Sequence, residues 1–359
     1  MKKRIYNFSA GPAILPEEVL LEAQEDLFSY KDTGMSVMEM SHRSKVYDGI
    51  FKAAQNDLKK LYNIGDDYTV LLLQGGATLQ FSMVPLNLMP PVNKADYINT
   101  GAWSKKAIKE AKRVGSVNVA ASSEDKNFSY IPKEFNFDPE AAYVHYTSNN
   151  TIFGTQFKSE PEVGDKILVC DASSDILHKP LDINKYGILY AGAQKNIGPA
   201  GVAVVIIRND LIERSPEELH AYMSYKVHAG ADSMYNTPNT YGAYICGLVF
   251  KYLLNNGGLE AMYKKNVEKA GMLYSYIDET DGYYKPAAAK EDRSLMNVTF
   301  NMATEDLEKK FIAEAGEKGF SGLKGHRSVG GMRASIYNAF PTQGVADLVQ
   351  FMKDFKANN

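Results

Sequence analysis

The sequence predicts an α/β protein, with a large domain built on a mostly parallel β-sheet covered by helices and a small α+β domain. Three observations carry this expectation. Short apolar runs alternate with helical patterns through the first two thirds of the 359 residues, the signature of strands joined by helices. Residues 166–208, KILVCDASSDILHKPLDINKYGILYAGAQKNIGPAGVAVVIIR, hold three such runs at 167–170, 187–190 and 202–207. Each is rich in Val, Ile and Leu and bounded by turn residues, as buried strands are. Towards the C-terminus the pattern changes to single strands separated by helices.

The elements follow in order. Pro16 with Glu17 and Glu18 opens a first helix, because proline suits the first helical position and acids suit the positive end of the helix dipole. A second helix spans 44–62, with Val46, Ile50, Ala54, Leu58 and Leu61 on one face. A strand at 68–73 leads through Gly75 and Gly76 into a helix starting near Thr78. A strand at 96–99 leads through Thr100, Gly101, Ala102 and Trp103 into a helix at 104–114. Further strands are expected at 117–120 and 142–146, and long helices at 241–254 and 259–277. The tail reads as a strand at 296–300, a helix at 305–318, a strand at 332–336 and a helix at 345–355. The large domain is placed at 16–265 and the small one at 1–15 with 266–359, so the boundary falls inside the helix that ends near Ile277. No repeats or low-complexity segments occur.

Composition excludes several classes. Hydrophobic residues make up 45% and charged residues 23%, an ordinary globular balance. The 40 basic residues nearly match the 43 acidic ones without long runs of one sign, which argues against nucleic-acid or anionic-membrane partners. Cys170 and Cys246 sit in apolar surroundings and read as core. The six histidines show no metal-ligand spacing, so no metal is expected. The start, MKKRIYNFSAGP, has no apolar run after its charges and does not read as a secretory leader. No stretch is long and apolar enough to span a bilayer, and a cytoplasmic location is expected.

In sheets of this kind ligands lie beyond the carboxyl ends of the strands, so the residues there come under inspection. Asp171 directly follows the first run of the 166–208 stretch, and Lys195 lies a few residues after the second. If those strands are neighbours, an acid and an amine project from one sheet edge. An amine condenses with an aldehyde cofactor and a carboxylate keeps a pyridine nitrogen protonated, the pairing that pyridoxal-phosphate chemistry uses. The plainer alternative makes Asp171 a cap and Lys195 a solvated loop charge. Gly75-Gly76-Ala77-Thr78, between strand and helix, offers backbone donors to an anion, or is simply a tight turn. It lacks the Lys-Ser/Thr ending of a nucleotide-binding loop. Trp103, the one tryptophan, is either a packing anchor or a flat face for a cofactor ring. Thr151 is a cap or a hydroxyl facing a cofactor oxygen, and Asn236-Thr237-Pro238 reads first as a helix cap.

With those residues in place, the chain resembles the phosphoserine aminotransferase family, a class V branch of the pyridoxal-phosphate enzymes of fold type I. The resemblance spans nearly the whole chain. It rests on Asn7-Phe8-Ser9-Ala10-Gly11-Pro12, on 36–43 (SVMEMSHR), on 190–201 (YAGAQKNIGPAG), on 234–238 (MYNTP) and on 324–335 (KGHRSVGGMRAS). It implies that Lys195 is the Schiff-base lysine and that Asp171 partners the pyridinium nitrogen. Ala77, Thr78 and Gln194 would hold the phosphate, Trp103 would stack on the ring, and Thr151 would contact its phenolic oxygen. Asn236 and Thr237 would reach the phosphate of a neighbouring subunit's cofactor, which implies a homodimer. His42, Arg43, His326 and Arg327 would form a pocket for a phosphate or a side-chain carboxylate, and Arg333 would grip the α-carboxylate, a task suited to a guanidinium fork. Many relatives carry three glycines followed by Arg or Cys where this chain has Gly75-Gly76-Ala77-Thr78.

The implied reaction moves an amino group between glutamate and 3-phosphohydroxypyruvate, giving 2-oxoglutarate and O-phosphoserine in serine biosynthesis, with 4-phosphohydroxythreonine in pyridoxine biosynthesis as a further possible substrate. Other class V activities compete: alanine–glyoxylate or serine–pyruvate transamination, or cysteine desulfuration. The last needs a cysteine in a mobile loop, whereas Cys170 and Cys246 fall in a strand and a helix. The alternative from another class is a protein that binds the cofactor without turnover, which retention of Lys195, Asp171 and Arg333 together disfavours.

Overall fold

The computed structural model describes residues 4–359. Residues 1–3, part of the expected 1–15 segment and of the leader reading, lie outside the described residues. The chain begins with β1 (Tyr6–Asn7), which the sequence did not signal, and α1 (Glu17–Glu25). The next helix, α2 (Lys45–Tyr62), is capped by the Ser44 side chain, which accepts from the Tyr47 amide. Its buried face is Tyr47, Ile50, Phe51, Ala54, Leu58 and Tyr62. The expected face shared only its middle: Val46 is exposed and Leu61 half-buried, because the aromatic residues one position on turn inward.

The central units follow: β2 (Tyr68–Gln74), α3 (Ala77–Leu88), β3 (Lys94–Asn99), α4 (Ala102–Ala111), β4 (Ser116–Ser122), β5 (Val144–Thr147), β6 (Leu168–Asp171), β7 (Ile188–Gly192) and β8 (Val202–Arg208). They form one seven-stranded sheet in the order β2-β8-β7-β6-β5-β3-β4. Strands β4, β3, β5, β6 and β7 run parallel, while β8 is antiparallel to both its neighbours. The reversal at β8 follows from chain length. Only residues 193–201 join β7 to β8, too few for the helical crossover that a parallel return requires. Both faces of the sheet's centre are covered, which is why β6, β7 and β8 are buried and largely apolar rather than alternating, while the edge strand β4 stays mostly unburied. Leu72, Leu189 and Val204 pack towards α2 and the later helices, and Leu73, Ile188 and Val205 towards α3 and α4.

Beyond the sheet come α5 (Asn209–Ile212), α6 (Tyr225–Gly230), α7 (Thr240–Asn255) and α8 (Gly258–Asp278). The remainder is β9 (Lys285–Pro286), β10 (Asn297–Asn301), α9 (Glu305–Glu317), β11 (Phe320–Ser321), β12 (Met332–Ser335) and α10 (Thr342–Asn358). Strand β10 pairs antiparallel with β12 and β9, and β1 pairs parallel with β11. Helix α8 serves two cores at once. Leu259 and Met262 join the sheet core, while Ala270, Leu273 and Ile277 join a second core with Phe8, Ile14, Val298, Phe311 and Phe351.

A buried polar seam lies where β12 leaves the second core. Lys269 of α8 is 1% exposed, and its ammonium donates to the carbonyls of Ile336 (3.0 Å) and Tyr337 (2.6 Å). One turn earlier Asn266 donates to Asn338 Oδ1 (2.9 Å) and to the His178 carbonyl (3.1 Å). The Asn338 amide in turn donates to Asn196 Oδ1 (2.9 Å), the residue after Lys195. Buried polar groups joined in this way hold one geometry, because any slip would leave donors unpaired.

Candidate active site

Register places the first residues. Thr147 of β5, Asp171 of β6 and Tyr190 of β7 are direct neighbours across the three parallel strands. Asp171 ends its strand at the carboxyl edge and is 3% exposed. Lys195 rises from the connection that leaves the same edge after β7. Its Nζ donates to Thr151 Oγ1 at 2.6 Å and lies 5.0 Å from the centre of the Trp103 ring. Trp103 stands in the first turn of α4, just beyond β3. Arg333, on β12, donates to the Thr151 carbonyl at 3.3 Å. Thr151 therefore touches Lys195 with its hydroxyl and Arg333 with its backbone.

Two glycines allow the close packing. Gly11 has a φ of +145°, and a Cβ there would lie 3.1 Å from Lys195 Cγ. The Ala13 amide donates to the Gln194 carbonyl at 2.9 Å, so the N-terminal segment folds over the lysine turn. At Gly192 an added Cβ would meet Gln194 Oε1 at 2.8 Å and the Ala77 amide nitrogen at 3.2 Å. Gln194 and the start of α3 thus converge on the end of β7. Ala77 and Thr78 form the first turn of α3, where backbone amides lack intrahelical acceptors and favour an anion.

Burial sets the charges here. It raises Asp171 above the ordinary carboxylate range, opposed by hydrogen bonds from Ser173 and by the nearby Lys195. It lowers Lys195 to about 8, with Asp171 working the other way and Arg333 lowering it further. His326 is also lowered, by burial and then by the charges of Arg333 and Arg327.

Some expected residues lie elsewhere in this chain. His326 and Arg327 belong with Arg333, but His42 and Arg43 line a separate hollow of about 350 Å³ with Lys45, Asp48 and Met234. Among the described residues, no hydrogen bond or ion pair joins the two His-Arg pairs. Asn236 Nδ2 donates to Gln74 Oε1 at 2.8 Å, and Gln74 Nε2 to the Thr237 carbonyl at 2.7 Å, both on the chain's own β2. Residue-by-residue reading missed Ser173, Gly11 and Lys106, whose ammonium lies 4.4 Å from the Trp103 ring centre. The Asp-Ala-Ser order at 171–173 was a usable signal, since a serine two residues on can bond back to the aspartate.

Several buried polar atoms around the edge lack protein partners: Thr147 Oγ1, Trp103 Nε1 and Arg333 Nε. Such orphans are costly unless a ligand or water satisfies them. Together with the buried acid, the depressed lysine and the helix start, they fit a planar anionic group seated over Asp171. Among the described residues no cluster suited to a metal ion occurs, and no helix is long and apolar enough to cross a membrane.

The charge arrangement has a direct consequence for Lys195. In ligand-free protein its reaction with a small amine-specific reagent should rise with pH about a midpoint near 8. Asp171→Asn removes a negative neighbour and should lower that midpoint, whereas Arg333→Ala removes a positive one and should raise it. A midpoint at the ordinary lysine value of 10.5 in all three proteins would show that the pocket does not tune the amine.

The profile of the family Aminotransferase class-V matches residues 5–348. A phosphoserine aminotransferase of Desulfatibacillum aliphaticivorans is 54% identical over 361 aligned positions, covering 100% of both chains. Among solved structures, the phosphoserine aminotransferase of Bacillus circulans subsp. alkalophilus superposes with a TM-score of 0.97 at 48% identity, covering 99% of each chain. A phosphoserine aminotransferase of Trichomonas vaginalis, solved with PLP bound, gives a TM-score of 0.93 at 38% identity, covering 98% of this chain and 100% of that one. With a matching profile over nearly its full length and relatives of this similarity, the chain belongs to the class-V aminotransferase family.

Proposed function

We propose that this protein is a phosphoserine aminotransferase that uses pyridoxal phosphate to exchange an amino group between glutamate and 3-phosphohydroxypyruvate. The observation that carries the reading is the meeting of Lys195, Thr151, Asp171 and Arg333 at one sheet edge, in a chain 54% identical end to end to a protein of that name. Pyridoxal phosphate, when bound, supplies an aldehyde that condenses with amines and a protonated ring that accepts electrons from Cα. Asp171 would hold the proton on the ring nitrogen. The start of α3 at Ala77 and Thr78, with Gln194, would take the phosphate, and Trp103 would cover the ring. Thr151 would offer its hydroxyl to the phenolic oxygen. Lys195, with its affinity for protons already reduced, is both the nucleophile towards the aldehyde and the group that moves the Cα proton.

Cysteine desulfuration does not fit. Cys170 lies in β6 and Cys246 in α7, both buried, and burial pushes the Cys246 thiol up to about 12, leaving no exposed thiolate. Incubation with glutamate and 3-phosphohydroxypyruvate should yield 2-oxoglutarate and O-phosphoserine, with 4-phosphohydroxythreonine tested in parallel. Borohydride should fix the cofactor's mass on the peptide containing Lys195, and Lys195→Ala should abolish turnover. Cofactor bound on another lysine, or no product from this pair, would sink the reading.

Substrate choice follows from the charged groups. Arg333 takes the α-carboxylate common to all amino acids, while His326 and Arg327 take the distal anion of phosphoserine or glutamate. Arg327→Ala should lower catalytic efficiency about ten- to a hundredfold for phosphoserine and glutamate, the scale of one charge-assisted hydrogen bond, and barely for alanine. Arg333→Ala should damage all three. Equal losses on phosphoserine and alanine in Arg327→Ala would place specificity elsewhere.

The active unit in this reading is a homodimer. Met234 lines the hollow of His42 and Arg43 and is joined directly to the segment of Asn236 and Thr237, so both pairs border one face. Phe28, Met38 and Tyr235 expose large apolar surface in the same or neighbouring segments, at 91%, 56% and 50%, the kind of surface a partner covers. That face is the natural donor of His42, Arg43, Asn236 and Thr237 to a second copy's site. Mixed dimers of Lys195→Ala and Thr237→Ala protein should regain activity, since one site then carries both lesions and the other neither. Absence of recovery after verified subunit exchange would mean that Asn236 and Thr237 serve their own chain.

A further inference from the structure

Asp171 is held by more than its strand. Its Oδ1 accepts two hydrogen bonds from Ser173, one from the backbone amide at 3.0 Å and one from the hydroxyl at 2.6 Å. The Ser173 hydroxyl has a single proton and spends it on that carboxylate. Its oxygen then accepts the amide of Gly192 at 3.1 Å. Gly192 is the last residue of β7, three positions before Lys195, and its Cα faces the Ala77 amide at the start of α3. Ser173 is 5% exposed, so water does not substitute for these bonds. One hydroxyl therefore links the buried acid, the strand that delivers the lysine and the flank of the helix start.

The arrangement also divides the carboxylate. Both Ser173 donors converge on Oδ1, whereas Oδ2 takes no hydrogen bond from any described residue. Oδ2 is thus the oxygen that the described residues leave available to a ligand. Burial alone would favour the neutral acid, which cannot keep a proton on a neighbouring nitrogen.

We propose that Ser173 is a positioning residue that orients Asp171, holding Oδ1 so that Oδ2 faces the cofactor ring, and that fixes Gly192 at the foot of the lysine turn. This rests on the pyridoxal-phosphate reading above. Ser173 also opposes the raised proton affinity of Asp171 more strongly than Lys195 does. Without the hydroxyl, the carboxylate loses a charge-assisted bond and the buried Gly192 amide loses its acceptor. The acid then protonates at a higher pH, and its hold on the ring weakens most on the acidic side.

The test measures cofactor dissociation by equilibrium dialysis of pyridoxal phosphate, from mildly acidic to mildly alkaline pH, with no turnover involved. Ser173→Ala should weaken binding about tenfold near neutrality, the equivalent of one pKa unit, and more at lower pH. Ser173→Thr, which keeps the hydroxyl, should restore affinity and its pH dependence. The deciding comparison is made in an Asp171→Asn background, where removing the hydroxyl should cost clearly less affinity and leave no pH dependence, because only its bond from the Gly192 amide is then lost. If Ser173→Ala does not fold, Ser173→Cys keeps the size with a weak donor and takes its place. Equal losses in both backgrounds would make Ser173 a packing residue and overturn the proposal, as would unchanged affinity and pH dependence in Ser173→Ala. If the unsubstituted protein fails to bind pyridoxal phosphate, the underlying reading falls and the role of Ser173 with it.

Discussion

Everything at the site depends on the parallel, in-register pairing of β5, β6 and β7. Hydrogen bonding between these strands sets Thr147, Asp171 and Tyr190 side by side and ends all three strands at one edge. A one-residue slip would turn Asp171 to the opposite face, since side chains alternate along a strand. The register is secured by burial of both sheet faces, where Val169 and Ile188 face one layer of helices and Cys170 and Leu189 the other. The acid is thereby built into the buried centre of the sheet.

The lysine is placed differently. It sits in the short connection from β7 to β8, which reverses direction because nine residues cannot hold a crossover helix. Such a turn needs external support, and it comes from three directions. The 11–13 segment lies over it, Thr151 accepts from its amine, and Asn338 donates to Asn196 beside it. Withdrawal from water disfavours charge on both partners, raising Asp171 and lowering Lys195. Their mutual attraction works against burial on both partners.

The seam around Lys269 explains how a residue on β12 works with one near β7. Arg333 leads directly into Ile336, Tyr337 and Asn338, which Lys269 and Asn266 hold through buried hydrogen bonds. Asn338 then reaches Asn196 and the Leu177 carbonyl on the sheet side. Burial pulls Lys269 down to about 7, so holding this joint involves an amine near the balance of its two forms. The distance between the arginine and the lysine is thus set by a continuous polar chain as well as by packing.

The sequence by itself determined the alternation of strands and helices, both long helices before the tail, and the position of an acid and an amine at or just past strand ends. These are local signals: apolar runs of strand length, a capping serine at Ser44, and chemistry-bearing residues placed just past strand ends. The motifs also carried the family resemblance, because five separated stretches kept their order. Only the tertiary structure decided which face of α2 is buried, since Tyr47 and Phe51 outcompete Val46 and Leu61 through size rather than periodicity. It alone showed β1 and β11 pairing across more than three hundred residues, as two-residue strands have no local signature. It also placed His42 and Arg43, within one chain, in a hollow apart from His326 and Arg327. The bond from the Gly192 amide to Ser173 became visible only when β6 lay beside β7, because it joins residues nineteen positions apart. Long-range contacts of this kind are fixed by how strands pair and helices pack, and no window along the chain contains both partners.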